Sequence, residues 1–232
     1  MSVKARTMRL TLSDILSQIA SSVNQETTLP TGDELTLWTA YVNRSIAEWA
    51  NSYDWQELIK EYRPSITGTS VVTIALPTDF RKLSSAPVLW GAVADGEEWP
   101  EVIPEQQRLY SYQDRWVEIA GNPNGGYNVL WNPGTLSSGA SISIRYFSMP
   151  TSLASPAQIP VLPDSQFLVD RSVAYILESR SDPRFQQTEA KARQRLLTMI
   201  ENASAAHYNS YSNGGTPVIS SMRRAGFRMG RD

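Results

Sequence analysis

The sequence predicts an α+β fold, in which N- and C-terminal helices form a helical bundle that carries an inserted small antiparallel β-domain and an extended C-terminal tail. Apolar residues recur at helical spacing near both ends of the chain, and β-type runs separated by Pro, Gly and Asn fill the middle. The final residues are rich in Ser, Asn, Gly and Arg. We therefore assign 1–61 to the N-terminal helices, 62–160 to the β-rich domain, 161–209 to the C-terminal helices and 210–232 to a flexible basic arm.

Two amphipathic helices are predicted in the N-terminal part. In the first, Thr11 is the N-cap and Asp14 lies in the first turn. Its apolar face is formed by Leu12, Ile15, Leu16, Ile19 and Val23. The second helix is predicted to begin with a capping box of Thr31 and Glu34 and to continue to about Lys60. Its apolar stripe contains Leu35, Trp38, Val42, Ile46, Trp49 and Tyr53.

The middle of the chain contains five runs with the composition of β-strands. They are Ser70–Leu76, Lys82–Trp90, Arg115–Ala120, Tyr127–Asn132 and Ala140–Phe147. The Gly- and Asn-rich sequence 121–126 predicts a hairpin loop between the third and fourth runs. In the fifth run apolar residues alternate with others between Ile142 and Phe147, which predicts a half-exposed strand. Pro104–Tyr112 is a candidate helical turn across a small antiparallel sheet or barrel.

A second pair of helices follows a connection that is rich in Pro and Ser. Asp164 is the predicted N-cap of the third helix. One face of that helix contains Val169, Val173, Ile176 and Leu177. Asp182 and Pro183 mark the start of the fourth helix. Its apolar face contains Ala192, Leu196, Met199, Ile200 and Ala203. Helices at both ends of the chain therefore enclose the β-rich domain in the sequence.

Composition excludes several classes of protein. The chain has no cysteine, which rules out disulfides, thiolate metal sites and cysteine nucleophiles. Its formal charge of −2 gives no strong overall attraction to nucleic acid or to an anionic membrane. The N-terminus lacks the apolar run of a signal peptide, and no stretch is apolar enough to cross a bilayer. We therefore expect a soluble protein that is made in a cytoplasm and does not bind membranes.

Candidate catalytic residues are few. His207 is the only histidine, and it lies at the predicted frayed end of the last helix, so a surface role is favoured over a Ser-His-Asp triad. Four carboxylates cluster around Trp99, and a glycosidase needs two flanking a sugar cleft. They are Glu97, Glu98, Glu101 and Glu105. A solvated loop explains them better. The sequence therefore predicts no catalytic residue, no cofactor and no metal site.

The C-terminal arm contains the candidate partner-binding residues. Four arginines alternate there with apolar side chains, against a single acid. The residues are Met222, Arg223, Arg224, Phe227, Arg228, Met229 and Arg231. Such a segment can be an inert end, a nucleic-acid contact or an arm that becomes ordered against a protein. We favour the arm, because apolar residues interleaved with charge suit a groove on a partner. The sequence alone does not show whether the arm is ordered before assembly, and we predict a monomeric free subunit whose arm becomes ordered only on its partner.

Several short motifs, in this order along the chain, resemble head-to-tail adaptor (connector) proteins of tailed bacteriophages. Many of those proteins carry an "LP-x-DF" turn after a strand, and here it is Leu76–Phe80, in which Pro77 is expected to end the strand and Phe80 to fold inwards. The segments Trp131–Pro133 and Ile144–Tyr146 add to this likeness. So does the C-terminal part, in which Leu162–Asp164 leads into a helix that contains Tyr175, and Arg184 and Phe185 then begin the long last helix. The resemblance covers most of the chain, and the basic arm lies outside it.

This resemblance implies a structural virion protein rather than an enzyme. It would form a ring, usually of twelve copies, beneath the portal protein at the neck between head and tail, after assembly in the host cytoplasm. Its partners would be the portal protein, further copies of itself, and the tail tube, nozzle or other tail components. Genome DNA would cross the channel during ejection without specific binding, which suits a body without strong positive charge. The arm would reach towards the portal.

The sequence leaves open two alternative functions from other classes of protein. One is a virion-associated peptidoglycan hydrolase that uses carboxylates such as Glu97 or Glu101. The other is a DNA-binding packaging accessory protein that uses the Arg-rich arm, for which affinity would fall steeply with salt.

Overall fold

The computed structural model describes residues 9–25, 28–64, 72–85, 88–93, 96–98, 101–103, 116–132 and 141–212. The helices in these ranges are α1 (Leu12–Asn24), α2 (Gly32–Ser52), α3 (Gln166–Ser179) and α4 (Phe185–Ser212), with a 3-10 turn at Gln56–Leu58. The strands are β1 (Ile59–Tyr62), β2 (Val72–Ala75), β3 (Phe80–Leu83), β4 (Val88–Val93), β5 (Gly96–Glu98), β6 (Glu101–Ile103), β7 (Trp116–Asn122), β8 (Gly126–Asn132) and β9 (Ser141–Ser148). The predicted α+β class is confirmed.

Two sheets form the β-domain. In the first, β9 pairs with β1 along one edge and with β3 and then β4 along the other, and β5 pairs with β4. In the second, the order is β2-β8-β7-β6, and the β6–β7 pairing is parallel while the other described pairings are antiparallel. The predicted hairpin joins β7 to β8, with Asn122 paired to Gly126. The predicted run Lys82–Trp90 is divided between β3 and β4.

Helix α3 lies at the centre of the helical bundle, where it contacts α1, α2 and α4. Its sequence explains this position, because every residue from Phe167 to Leu177 except Arg171 is buried. A helix that is apolar on all sides needs neighbours on all sides. The predicted face of α3 is therefore correct but is only part of its buried surface. Small side chains bring α2 and α3 close together, with Ser45 and Ser172 fully buried and their hydroxyls 3.3 Å apart.

Helix α1 begins as predicted, whereas the capping box of α2 is absent. The Thr11 hydroxyl accepts a hydrogen bond from the Asp14 amide, and the Asp14 carboxylate accepts one from the Thr11 amide. Thr31 is the N-cap of α2, but its side chain makes no capping hydrogen bond. Glu34 instead pairs with Arg180 at the C-terminal end of α3, at 3.0 Å. The Glu34 carboxylate, which the predicted capping box required, is therefore engaged in an interhelical ion pair.

The predicted extension of α2 to Lys60 is wrong. The helix ends at Ser52, and after the 3-10 turn the chain continues as β1. Leu58 is still buried in the helical core, at 2% exposure, although the backbone there is no longer α-helical. Pairing of β1 with β9 supplies the backbone partners that a helix would otherwise provide. The predicted boundary at residue 61 therefore falls within a strand.

Strand β9 is buried on both faces, whereas the sequence predicted a half-exposed strand. Ile142, Ile144 and Tyr146 pack in the β-domain core. On the other face Phe147 packs in the helical core, and within the run only Arg145 is exposed. This strand therefore joins the two hydrophobic cores of the molecule.

The C-terminal helices differ from the prediction at their ends. Ser165 is the N-cap of α3, and the neighbouring Asp164 carboxylate accepts from the Gln166 amide at 3.0 Å. Helix α4 continues to Ser212, so the arm predicted from residue 210 is helical over its first residues. The predicted apolar face of α4 is confirmed, with Ala192 and Met199 buried and the other three residues packed against the core. The candidate turn at Pro104–Tyr112 lies outside the described residues.

Candidate docking surfaces

The residues singled out for binding or catalysis lie mostly outside the described part of the chain. All seven partner-binding residues, from Met222 to Arg231, are outside it, as is Glu105. Glu97 lies on β5 in the first sheet, whereas Glu101 lies on β6 in the second. His207 lies within α4.

The described ranges contain neither a candidate metal centre nor a membrane-spanning helix. These residues contain no group of three or more His, Cys, Asp or Glu side chains arranged to hold a metal ion. Within the same ranges, no helix has both the length and the hydropathy needed to cross a bilayer.

The LP-x-DF turn is a structural junction. Phe80 is buried, with its ring edge-on to Tyr127 at 5.2 Å and tilted against Tyr146 at 5.6 Å. The Phe80 amide donates to the Pro77 carbonyl at 2.9 Å and closes the turn. The Asp79 carboxylate accepts from the Tyr146 hydroxyl at 2.9 Å and from Lys60 Nζ at 2.5 Å. The turn thus ties β1, β3 and β9 together, and the inward position expected for Phe80 is confirmed.

Electrostatics at this turn follow from the same contacts. Burial opposes ionisation of Asp79, but the hydrogen bonds from Lys60 and Tyr146 outweigh it, so the pKa of this carboxyl lies below its ordinary value. Burial, together with the neighbouring Asp79 carboxylate, raises the pKa of Tyr146 to about 12. The hydroxyl is therefore a fixed donor at neutral pH.

A cleft of about 680 Å³ separates the C-terminal end of α2 from β3 and β9. Arg81 Nη1 donates to the Ala50 carbonyl at 2.6 Å, at the helix end where backbone carbonyls lack partners. Lys82 pairs with Asp54 at 2.6 Å. Arg81 and Lys82 thus join the end of α2 to the sheet, and Arg145, which also lines the cleft, is exposed.

Ion pairs tie three helices together on one side of the bundle. Glu48 on α2 accepts from Arg171 Nε at 2.7 Å and from the Tyr175 hydroxyl at 2.6 Å, both on α3. Arg171 also lies 3.6 Å from Glu189 on α4. Burial opposes the charge on Arg171, but its contacts with Glu48 outweigh burial and raise its pKa. The relative positions of the three helices are fixed by charge as well as by packing.

A second ionic cluster joins α3 to α4. Asp170, whose side chain is 6% exposed, accepts from Lys191 Nζ at 2.9 Å and from Arg195 Nε at 3.0 Å. Arg195 also reaches Asp164 at 2.9 Å. Two acids and two bases therefore balance one another within this cluster, and Lys191 and Arg195 are held in defined positions.

This cluster borders a groove that we call the α4 groove, with a volume of about 710 Å³. One side is α4, the other is formed by the 3-10 turn and the start of α3. The lining residues are Trp55, Glu57, Pro163, Asp164, Lys191, Gln194, Arg195, Thr198, Met199, Asn202 and Ala203. Trp55, Met199, Pro163 and Ala203 provide apolar contact, and charged side chains surround them. The groove has the character of a surface that binds a peptide containing both apolar and charged residues.

The α4 groove and its ionic cluster were missed by reasoning from sequence. The groove combines residues from three separate parts of the chain, so no single motif signals it. A partial signal was available, because Asp170 lies among mostly apolar residues of α3 and the bases Lys191 and Arg195 are four residues apart on one helix face. That pattern predicts a buried ion pair but not an adjoining groove.

Most of the chain matches a known protein family. A family model described as SU10 adaptor protein matches residues 10–219 of this chain. The matched range includes all four helices and both sheets, and it ends before Met222, the first of the predicted partner-binding residues. No curated protein matches the chain.

Proposed function

The chain belongs to the SU10 adaptor protein family, and on that premise we propose that it docks as a ring under the portal of a tailed phage and provides the attachment site for the tail. The family match over residues 10–219 is the observation that carries the proposal. It confirms the resemblance to phage adaptor proteins. The position beneath the portal, the twelve copies and the role of the neck in genome ejection belong to the proposal.

The described body suits an assembly component. A closed ring of identical subunits needs two different complementary surfaces on each subunit. The helical bundle and the β-domain supply two such surfaces on one body, joined through β9 and the Arg81 contact. Several apolar side chains are exposed and available for contact, including Leu37 on α2 and Leu197 on α4. No catalytic step is part of the proposed function.

We propose that the basic arm makes the contact with the portal. Its seven residues lie beyond both α4 and the family match, so they are separate in sequence from the body. An arm that becomes ordered on a partner can span a large surface, at an entropic cost that limits affinity per area.

Electron microscopy of the purified protein mixed with portal rings of the same phage tests this function. We expect extra density on the tail-facing side of the portal, with matching symmetry, and none with a control protein of similar size. A variant that ends at Asn213 retains the whole described body, and we expect it to fold normally and bind the portal more weakly. Absence of density with the full chain contradicts the adaptor function, whereas equal binding by the shortened variant contradicts only the role of the arm.

A further inference from the structure

We propose that residues 216–224 of the same chain occupy the α4 groove before the protein binds its partner. This inference rests on the proposed function, because it assigns a resting site to part of the arm that we expect to contact the portal. The arm would then leave its own groove on assembly, because the groove and the portal would compete for the same residues.

The unmatched charge of the groove indicates what it binds. Lys191 and Arg195 are balanced by Asp170 and Asp164 through the ion pairs described above. Glu57 lines the same groove and makes no ion pair or hydrogen bond with any other described residue. The Glu57 carboxylate is therefore not balanced by a base of the groove, and a basic occupant would neutralise it.

The apolar part of the groove specifies the rest of the occupant. Trp55 and Met199 are already buried, at 1% and 7% exposure. The accessible apolar surface of the groove is at Pro163, which is exposed, and at Ala203, which is half-buried. An occupant that covers them needs apolar side chains next to its basic ones. The sequence 216–224 is Thr-Pro-Val-Ile-Ser-Ser-Met-Arg-Arg, which places Val218, Ile219 and Met222 before two arginines.

Chain length allows this segment to reach the groove of its own subunit. Ala203 precedes Ser212 by nine residues, which is about 14 Å along α4. Val218 follows Ser212 by six residues, which span at most about 20 Å when extended. Gly214 and Gly215 follow Asn213 in the sequence, and glycine permits backbone conformations that reverse the chain direction. The segment can therefore turn back along α4 without unwinding it.

Disulfide trapping in the free full-length protein tests the proposal. The natural chain has no cysteine, so introduced pairs report only on themselves. We expect the pair Asn202→Cys with Ser220→Cys to form an intrachain disulfide at least about tenfold faster than Glu201→Cys with Ser220→Cys, because proximity raises the effective concentration. Asn202 lines the groove, whereas the adjacent Glu201 is exposed outside it.

Charge reversal gives a second readout. Adding Glu57→Arg to the Asn202–Ser220 cysteine pair should slow trapping several-fold, and Arg223→Glu with Arg224→Glu should restore it. Glu178→Arg, an exposed glutamate elsewhere, is the matched control and should have no effect. Equal trapping rates at positions 201 and 202, or disulfide-linked dimers in place of intrachain products, would overturn the proposal. The test contains no portal, so its failure is distinct from failure of the adaptor function.

Discussion

Tyr146 illustrates how one buried side chain stabilises the β-domain. Its hydroxyl donates to the Asp79 carboxylate at 2.9 Å, and its ring packs against Phe80. Tyr146→Phe keeps the ring and removes only the donor, so we expect the free energy of unfolding to fall by about 1–2 kcal/mol at neutral pH. Urea denaturation measures this. Tyr127→Phe is the matched control, since Tyr127 touches Phe80 but has no hydroxyl hydrogen bond to a described residue.

The same residue predicts a pH dependence. Because the folded protein raises the pKa of Tyr146 from 10.0 to about 12, it holds a proton that the unfolded chain releases in that interval. The stabilising contribution is therefore complete below pH 10 and is lost as the pH approaches 12. We expect the difference in stability between the natural protein and Tyr146→Phe to shrink over this range. A constant difference would contradict the assigned hydrogen bond.

At the scale of single elements, the starts of α1 and α2 form a natural pair for comparison. Thr11 accepts a capping hydrogen bond and Thr31 does not. We expect Thr11→Ala to lower the free energy of unfolding by about 1 kcal/mol. Thr31→Ala should have a much smaller effect. Thermal or urea unfolding followed by circular dichroism compares the two, and an equal loss from both variants would contradict the difference in capping.

Sequence patterns predict elements well where the determining contacts are local. The apolar stripe of α1 and its Thr11–Asp14 cap are within one or two helical turns, and both were predicted correctly. Strand β1 was missed, because its residues continue the apolar spacing of α2 and become a strand only by pairing with β9, far away in sequence. Likewise, Glu34 has an acceptable local partner in Thr31 but pairs with Arg180 instead. Local propensity is a weak prior when a distant partner is available.

The α4 groove could not be predicted from sequence for the same reason, because its residues meet only in the folded protein. Met199 was predicted on the apolar face of α4, and nothing in the sequence indicates that it lines one groove together with Trp55. The predicted arm, by contrast, depended on composition alone, and its role remains a prediction. Reasoning from sequence therefore gave the class of protein and a possible occupant, while the groove itself required the folded arrangement of α4 and the 3-10 turn.

At the scale of the whole molecule, the helical bundle and the β-domain share contacts that should make them unfold together. Phe147 extends from β9 into the helical core. The Ser148 hydroxyl donates to the Leu58 carbonyl at 3.0 Å, and Arg81 donates to the Ala50 carbonyl. These contacts are buried or partly buried, so opening either part exposes surface of the other. We therefore expect one cooperative unfolding transition for the two parts.

Val129→Ala tests this cooperativity, because Val129 is fully buried and belongs only to the β-domain core. The cavity should cost about 2 kcal/mol. If the two parts unfold as one unit, the slowest-exchanging amides of α3 lose as much protection as those of β9, although α3 is untouched by the substitution. Hydrogen exchange followed by mass spectrometry measures both segments in one experiment. Unchanged protection in α3 would contradict the single transition and would mean that the bundle stays folded when the β-domain unfolds.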